Sequence, residues 1–584
     1  MQMHGSFLSP AFIKRLSNLL VQLLFSLAAA LVLFIPGFNE TLLIRGDTVE
    51  VLNRIEAIAM AMNSRQAVHA PMSRLNFGYG YGSTLFESPF PYYIPALFRH
   101  FGMDLQVSFL TCIYILFACM VFASYGMAQT ILKKDRMAVF VTALLSSGSL
   151  CACIMIFCDG RIADGTALIF VPVIIGAIYE MFRTKGGGWI RLTLAMSLCL
   201  LSSGVYGKFT ILLVLVYFLV HFRWLRAHRR VILLLALSLL ITAALTVWVW
   251  LPPTVLSAEG SYVIDSIHSL ETPGAGIQDL LDVVPYSADH MGKTVGLILL
   301  GLPALIFRRK GGTRWKFASE CTIAGYGVLF MTTNMFPWSL FSFAARIADP
   351  SRLMPVSAVL LSVGAGCVLS WYPFDQNDRP FIRRCIAGIT AVLILMMVNT
   401  RYHCIGGITR DFTVKELSDD ARMFGSTDSF ENRSETGNGW YLPVTDYNYR
   451  GKKRVVIKEN ETLSFVETDG VLITDGRGKG TYLFPKTWYP GYALTVREEG
   501  KKKEVIRTEQ DPGTGLVKAV IENEVPEGAK LELRYEKPAI LQVTESLSIL
   551  FWTAFGLAGI LVPAWRWGLF SGTKNIRMKP GGNQ

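Results

Sequence analysis

Charged side chains are scarce in this 584-residue sequence, 17% of the total against 52% hydrophobic; a soluble globular chain carries about 25%. That shortage excludes an ordinary cytosolic enzyme. The chain also has no Gly-rich P-loop, no Ser/His/Asp arrangement, no heptad repeat and no zinc-ligand spacing. Its ten cysteines, at 112, 119, 151, 153, 158, 199, 321, 367, 385 and 404, lie almost all within or beside apolar runs, and none follows Cys404. The polar segment beyond it therefore does not depend on disulfides. Cys151, Cys153 and Cys158, near a helix end, read as small buried hydrophobes rather than metal ligands. His69, His100, His268, His290 and His403 are scattered and read as loop histidines.

What the chain has in quantity is long apolar runs. Leu19 to Pro36, Val231 to Leu251 and Leu547 to Val562 approach or reach the roughly 20 residues a helix needs to cross the hydrocarbon core. A span-length window places helices near 18–36, 105–132, 137–156, 165–182, 189–203, 206–222, 231–251, 294–307, 317–333, 352–371, 385–399 and 541–563, about twelve spans. The first run follows Lys14 and Arg15 as a signal peptide would, but no small-residue cleavage site follows Phe34-Ile35-Pro36-Gly37-Phe38, so it reads as a retained helix.

The formal net charge is +12, yet between Arg401 and Lys537 there are 22 basic and 23 acidic residues. The excess thus sits in short loops of the apolar part, which is a topology signal and not a nucleic-acid footprint. With both termini cytoplasmic, about 24 basic residues fall in inside loops against about 10 in the short outside ones, as the positive-inside rule requires. Residues 37–90, 252–293 and 400–540 then face outward from a cell membrane. The expected fold is a polytopic α-helical membrane protein carrying an extracytoplasmic all-β domain, sandwich-like or jelly-roll-like, before the last span. It divides into a transmembrane domain over 1–399, a β-rich domain over 400–540, and a last helix with a basic tail over 541–584. The β expectation rests on runs such as Arg454-Val455-Val456-Ile457-Lys458, Leu516 to Ile521 and Leu531 to Tyr535, about eight strands separated by Asp-Gly, Pro-Gly and Glu-Gly turns. Asp419 to Asn438 reads as a linker.

In the first outer segment, Val51, Leu52, Ile55, Ile58, Ala59 and Met62 recur at helical spacing, which predicts an amphipathic helix in the membrane interface. Asp47 at its start reads as an N-cap with Glu50 completing a capping box. It also reads as a general base at the outer mouth of the first span, and the two roles are compatible. Phe77-Gly78-Tyr79-Gly80-Tyr81-Gly82, followed by Phe86 to Pro95, is either an interfacial aromatic belt or a shaped loop that stacks against sugars or a lipid head group. Glu87 is a second, weaker acid–base candidate. Arg161, Lys208, Arg346 and Arg352 stand at outer ends of spans, against the topology rule. Either they converge as a phosphate site, or each pairs locally, Arg161 with Asp159 or Asp164 and Arg346 with Asp349.

These features in this order resemble the bacterial YfhO-type multispanning membrane proteins, including those labelled pyruvoyl-tetrahydropterin-synthase-related, in the GT-C glycosyltransferase superfamily. The matching stretches are Gly46-Asp47 with Asn53-Arg54-Ile55, Gly78-Tyr79-Gly80-Tyr81 leading into Pro91 to Ala96, Arg161 to Pro172, Asp349-Pro350-Ser351-Arg352, Trp440 to Pro443, Phe484 to Tyr492 and Leu531 to Pro538. The resemblance implies a transferase using a polyprenyl-phosphate-linked sugar at the outer face and passing it to a cell-envelope glycan or polymer. It implies Asp47 as base and basic outer helix ends, carried over to Arg161 and Arg352, as lipid-phosphate ligands. The chain departs from the superfamily in having Gly46-Asp47 where many members have two acids, and Ser203 to Lys208 where a histidine is expected. No cofactor is assigned, and a divalent metal is left open.

The expected reaction is an inverting glycosyl transfer. Asp47 is the catalytic residue, Arg161, Lys208, Arg346 and Arg352 bind the donor phosphate, and Arg54, Tyr79, Tyr81, Glu87 and Tyr92 form the substrate loop. A lipid or polysaccharide transporter and a non-catalytic envelope scaffold are the alternatives.

Overall fold

The structure is a computed structural model that describes residues 10–38, 48–63, 70–260, 262, 274–281, 293–308, 311–338, 350–371, 388, 442 and 452–566, with residues 74, 134, 158, 469, 498–503 and 527 excepted. The helical part runs α1 (Pro10–Leu33), α2 (Thr48–Asn63), α3 (Ser83–Phe86), α4 (Tyr93–His100), α5 (Leu105–Leu132), α6 (Arg136–Ser147), α7 (Leu150–Phe157) and α8 (Ile162–Thr184). It continues through α9 (Trp189–Ser202), α10 (Gly204–Val220), α11 (Phe222–Ala227), α12 (Arg229–Leu245), α13 (Val247–Glu259), α14 (Ile277–Leu281), α15 (Leu297–Gly301), α16 (Thr313–Met331) and α17 (Met354–Trp371) to α18 (Ala539–Arg566) after the β-domain.

Among the described residues five stretches are long and apolar enough to cross a membrane: Leu16–Leu33, Leu105–Leu132, Ile162–Thr184, Pro350–Trp371 and Ala539–Ala558. Two bent pairs, α6 with α7 at 44° and α12 with α13 at 61°, raise the number to seven if each is one span. Three further stretches counted as spans from sequence form shorter apolar helices, Trp189–Ser202, Gly204–Val220 and Leu297–Arg308. At 14 residues α9 rises about 21 Å, less than the roughly 30 Å of hydrocarbon. The expected span at 385–399 lies outside the described residues but for Gly388.

The bend between α12 and α13 leaves the carbonyl of Leu245 at a helix end, inside the packed part of the molecule. Two donors from α18 meet it: Ser548 Oγ at 2.6 Å and Trp552 Nε1 at 3.0 Å. Pro252 and Pro253 follow in α13.

Helix α2 forms where expected, but its apolar stripe faces protein. Val51, Leu52, Ile55, Ile58 and Ala59 are all buried, and the helix packs on α4 and α5. This corrects the expectation of an interfacial helix lying on lipid. Periodicity gives the width of an apolar face, and that width is the same whether lipid or protein covers it.

Among the described residues the C-terminal domain holds nine strands: β1 (Val456–Lys458), β2 (Glu461–Leu463), β3 (Phe465–Thr468), β4 (Val471–Asp475), β5 (Gly480–Thr487), β6 (Tyr492–Arg497), β7 (Glu504–Gln510), β8 (Leu516–Ile521) and β9 (Lys530–Tyr535). All pairings are antiparallel, in the order β2-β1-β5-β8-β7-β6-β9-β4-β3. The two outermost strands are joined through Ser464 alone, so the sheet must roll until its edges lie side by side. Thr474 Oγ1 on β4 donates to the Ser464 carbonyl at 2.7 Å and ties that link to its neighbouring strand. The domain is therefore one barrel-like sheet, where the sequence suggested a sandwich or jelly roll. Alternating short strands do not distinguish two stacked sheets from one sheet curled on itself. Inside lie Tyr482, Phe484, Leu494, Val517, Ala519, Leu531 and Leu533, in a hydrophobic cluster continuous with that of the helices.

Candidate functional site

Burying an arginine requires compensating charge, and Arg54, 7% exposed on α2, has two carboxylates. Its Nη2 lies 2.5 Å from Glu50 Oε1, one helical turn back, and its Nη1 lies 2.5 Å from Glu87 Oε2 in the following loop. Nη1 also reaches the Tyr92 hydroxyl at 3.4 Å, and the guanidinium stands over the Tyr92 ring. Burial opposes its charge, but Glu50 and Glu87 more than offset that and hold its pKa above the usual value. Beside it, burial and then the Glu50 charge push the Tyr81 hydroxyl well up, so that this phenol keeps its proton. Arg54, Tyr81, Glu87 and Tyr92, all expected in the substrate loop, thus meet in one cluster. Glu87 also lines a narrow crevice with Phe86, Trp248, Pro253 and Leu541 among its walls.

Tyr79 goes elsewhere, to the contact with the barrel. Gly78, at φ +85°, and Gly82 let the loop approach closely: a Cβ would fall 2.7 Å from Arg454 Nη1 at Gly78 and 2.5 Å from the Tyr489 ring at Gly82. The Thr487 amide donates to the Tyr79 carbonyl at 2.7 Å, and Asn76 Nδ2 to Thr487 Oγ1 at 3.3 Å. Arg454 stands over the Tyr79 and Phe465 rings. The β5–β8 ladder shifts register between Phe484 and Thr487, and the bulge carries Pro485 and Lys486. Lys486, 1% exposed, donates to the carbonyls of Ser73 and Gly78, each at 3.0 Å, and to Glu467 Oε1 at 2.5 Å. Arg454 Nη2 holds the other oxygen of Glu467 at 2.5 Å. Burial pulls the Lys486 amine down to about 8 despite Glu467. Burial opposes ionisation of Glu467, but Lys486 and Arg454 together keep its carboxyl below the ordinary value.

A third constellation gathers at the start of α8. Arg352 grips a single oxygen of Asp164, with Nε at 2.9 Å and Nη2 at 2.7 Å from Oδ2, while Ser203 Oγ donates to Oδ1 at 2.7 Å. Tyr206 donates to the Arg352 carbonyl at 2.5 Å, and its hydroxyl feels Asp164, Arg352 and Arg161. Arg161 is the N-cap residue of α8. Gly160, at φ +64°, stands so close to Thr48 that a Cβ would meet its Cα at 2.6 Å. The Asp159-Gly160-Arg161 turn therefore abuts the start of α2.

Asp47 and Arg346 lie outside the described residues. Arg352 binds Asp164, Arg161 and Arg352 both lie close enough to act on the Tyr206 hydroxyl, and Lys208 is exposed on α10. Asp164 was legible only as a local partner for Arg161, and its partner in space is Arg352. Lys486 was missed; a proline inside a strand pattern, Pro485, was the available signal of a bulge. Among the described residues, no three His, Cys, Asp or Glu side chains gather in a way that could hold a metal. Glu50 and Glu87 are both engaged by Arg54.

No family model and no curated protein matches the chain. Among solved structures it is similar to ArnT from Cupriavidus metallidurans bound to undecaprenyl phosphate, at 13% identity over 66% of this chain and 76% of that one, with a TM-score of 0.38. It is also similar to the oligosaccharyltransferase of Archaeoglobus fulgidus in its apo form, at 14% identity over 74% of this chain and 60% of that one, with a TM-score of 0.41. Neither likeness defines the role of a residue here.

Proposed function

We propose that this chain is an integral-membrane glycosyltransferase of the GT-C type, moving a sugar from a polyprenyl-phosphate donor to a cell-envelope acceptor at the outer face. The observation that carries the reading is the juncture at Thr48: the turn bearing Arg161, with Arg352 beside it, abuts the first residue of the helix that presents Glu50 and Arg54. A phosphate-binding group and an acid-bearing loop are then neighbours, as transfer from a lipid phosphate requires.

In the proposed reaction Asp47 takes the proton of the acceptor hydroxyl. The hydroxyl oxygen attacks the anomeric carbon, the bond from that carbon to the phosphate oxygen breaks, and the lipid phosphate leaves with the electron pair and inverted sugar configuration behind it. Arg161 and Arg352, which stand with Asp159 and Asp164, supply the two guanidinium groups that meet the phosphate oxygens. Lys208 and Arg346 complete the proposed cationic set. Tyr92, Tyr81 and Glu87 hold the sugar, and the barrel, placed outside the membrane, orients the acceptor.

The test uses purified protein in liposomes with radiolabelled polyprenyl-phosphate hexoses, comparing wild type with Asp47→Asn. A positioned base contributes about 10²–10⁴-fold, and the variant should lose at least that. Turnover near wild type would remove Asp47 from this role. If no donor is consumed while the lipid is scrambled between leaflets, the transporter reading takes its place.

A further inference from the structure

The first outer loop is shaped from both sides. Within the loop, Tyr81 and Met72 exchange backbone hydrogen bonds at 2.8 and 3.2 Å, and the amides of Gly80 and Gly78 bond to the Leu75 carbonyl at 2.9 and 3.2 Å. From the barrel, Lys486 binds the carbonyls of Ser73 and Gly78, and Thr487 binds the loop at Asn76 and Tyr79. Three residues beyond Gly78, the same loop delivers Tyr81, then Glu87 and Tyr92, to Arg54.

A buried ammonium on two main-chain carbonyls is a costly device if adhesion alone is needed, since apolar packing of the same volume holds two surfaces as well. Its distinctive property is geometric: three donors on one nitrogen fix two loop carbonyls and Glu467 relative to one another. The bulge at Pro485 and Lys486 aims that nitrogen out of the sheet and into the loop.

We propose that Lys486 is a positioning residue, by which the barrel sets the conformation of the first outer loop and so the placement of Tyr81, Glu87 and Tyr92 around Arg54. The barrel is then a working wall of the site and not only a platform for the acceptor. The catalytic part of this inference rests on the transferase reading above; the structural part does not.

The test compares full-length wild type with Lys486→Met by hydrogen exchange and by donor turnover in liposomes. Glu467 keeps Arg454 in the variant, so no buried carboxylate is left without a partner. The expected result is loss of protection at the Gly78, Gly80 and Tyr81 amides, with β5–β8 ladder amides as protected as in wild type. Turnover should fall about 10²-fold, the scale of a misplacement of about 1 Å, with donor KM within about threefold. Unchanged loop protection overturns the proposal outright. Lost loop protection with wild-type kcat overturns the positioning of the site. If wild type consumes no donor, the exchange result still decides whether the loop is held by Lys486, and only the transferase reading falls. Should Lys486→Met lose β5–β8 protection as well, Lys486→Gln, which keeps a polar donor in the bulge but cannot hold all three acceptors, is read the same way.

Discussion

Asp164 and Arg352 lie 188 positions apart and meet on one carboxylate oxygen, with the other oxygen taken by Ser203. The acid ties the start of α8 to the turn before α17 and to the turn between α9 and α10, three elements that diverge from this point.

Removing the acid should therefore be felt as a loss of stability. Asp164→Asn removes the carboxylate that two Arg352 nitrogens hold, and breaking a buried pair costs about 3–5 kcal/mol. A fifth of the Arg352 side chain is exposed, so about 3 kcal/mol is expected. Thermal unfolding in detergent reads it as a fall in Tm, and Asp164→Asn with Arg352→Gln should recover part of the loss. A single variant as stable as wild type would contradict the pairing.

Arg54 should not tolerate lysine. Its two terminal nitrogens hold Glu50 and Glu87 at once, a geometry that a single ammonium does not reproduce. Arg54→Lys is expected to cost about 1–3 kcal/mol, the worth of one charged hydrogen bond left unmade. Under the proposed transferase function, donor KM should rise with it, read from the liposome assay.

Gly82→Ala places a methyl group 2.5 Å from the Tyr489 ring, at a backbone φ of −96° that alanine adopts freely. Any effect is then steric. Overpacking of this kind costs about 1–3 kcal/mol, and faster proteolysis of the 70–90 loop in the variant would register it.

The Lys486 and Glu467 pair should give stability a recognisable pH profile. Lys486 titrates at about 8 in the folded protein, below the ordinary lysine value of about 10.4. Between those values the unfolded chain binds more protons than the folded one, so this group makes stability rise with pH across that window. Glu467, held below its ordinary value, acts at the other end. Its contribution is complete above the ordinary carboxylate pKa and is lost as pH falls through the lower folded value. Tm measured against pH should show both slopes in wild type, with the alkaline rise missing from Lys486→Met.

The long apolar elements were readable because apolar length and period are local properties. The 105–132 window matches α5 residue for residue, and 165–182 falls inside α8. The strands at Val456, Leu516 and Leu531 were readable for the same reason. What covers an apolar face was not: α2 gave its stripe but not the protein packed on it. Nor were the long-range charges. Asp164 has a basic neighbour three residues back in the chain, but its contact with Arg352 spans 188 positions, and Lys486 bonds to main-chain carbonyls, which no residue type announces. In Arg54 both kinds of contact occur together, Glu50 one helical turn away and Glu87 only after the loop has folded.

The carbonyl of Leu245 gives the chain an order of assembly. Its two donors, Ser548 and Trp552, are 303 and 307 residues downstream. While the protein is being made, the α12–α13 elbow enters an apolar environment long before those donors exist, carrying a polar group whose isolation there costs several kcal/mol. The elbow therefore reaches its final form only after α18 has packed against it. The last helix acts on the molecule as a closing latch.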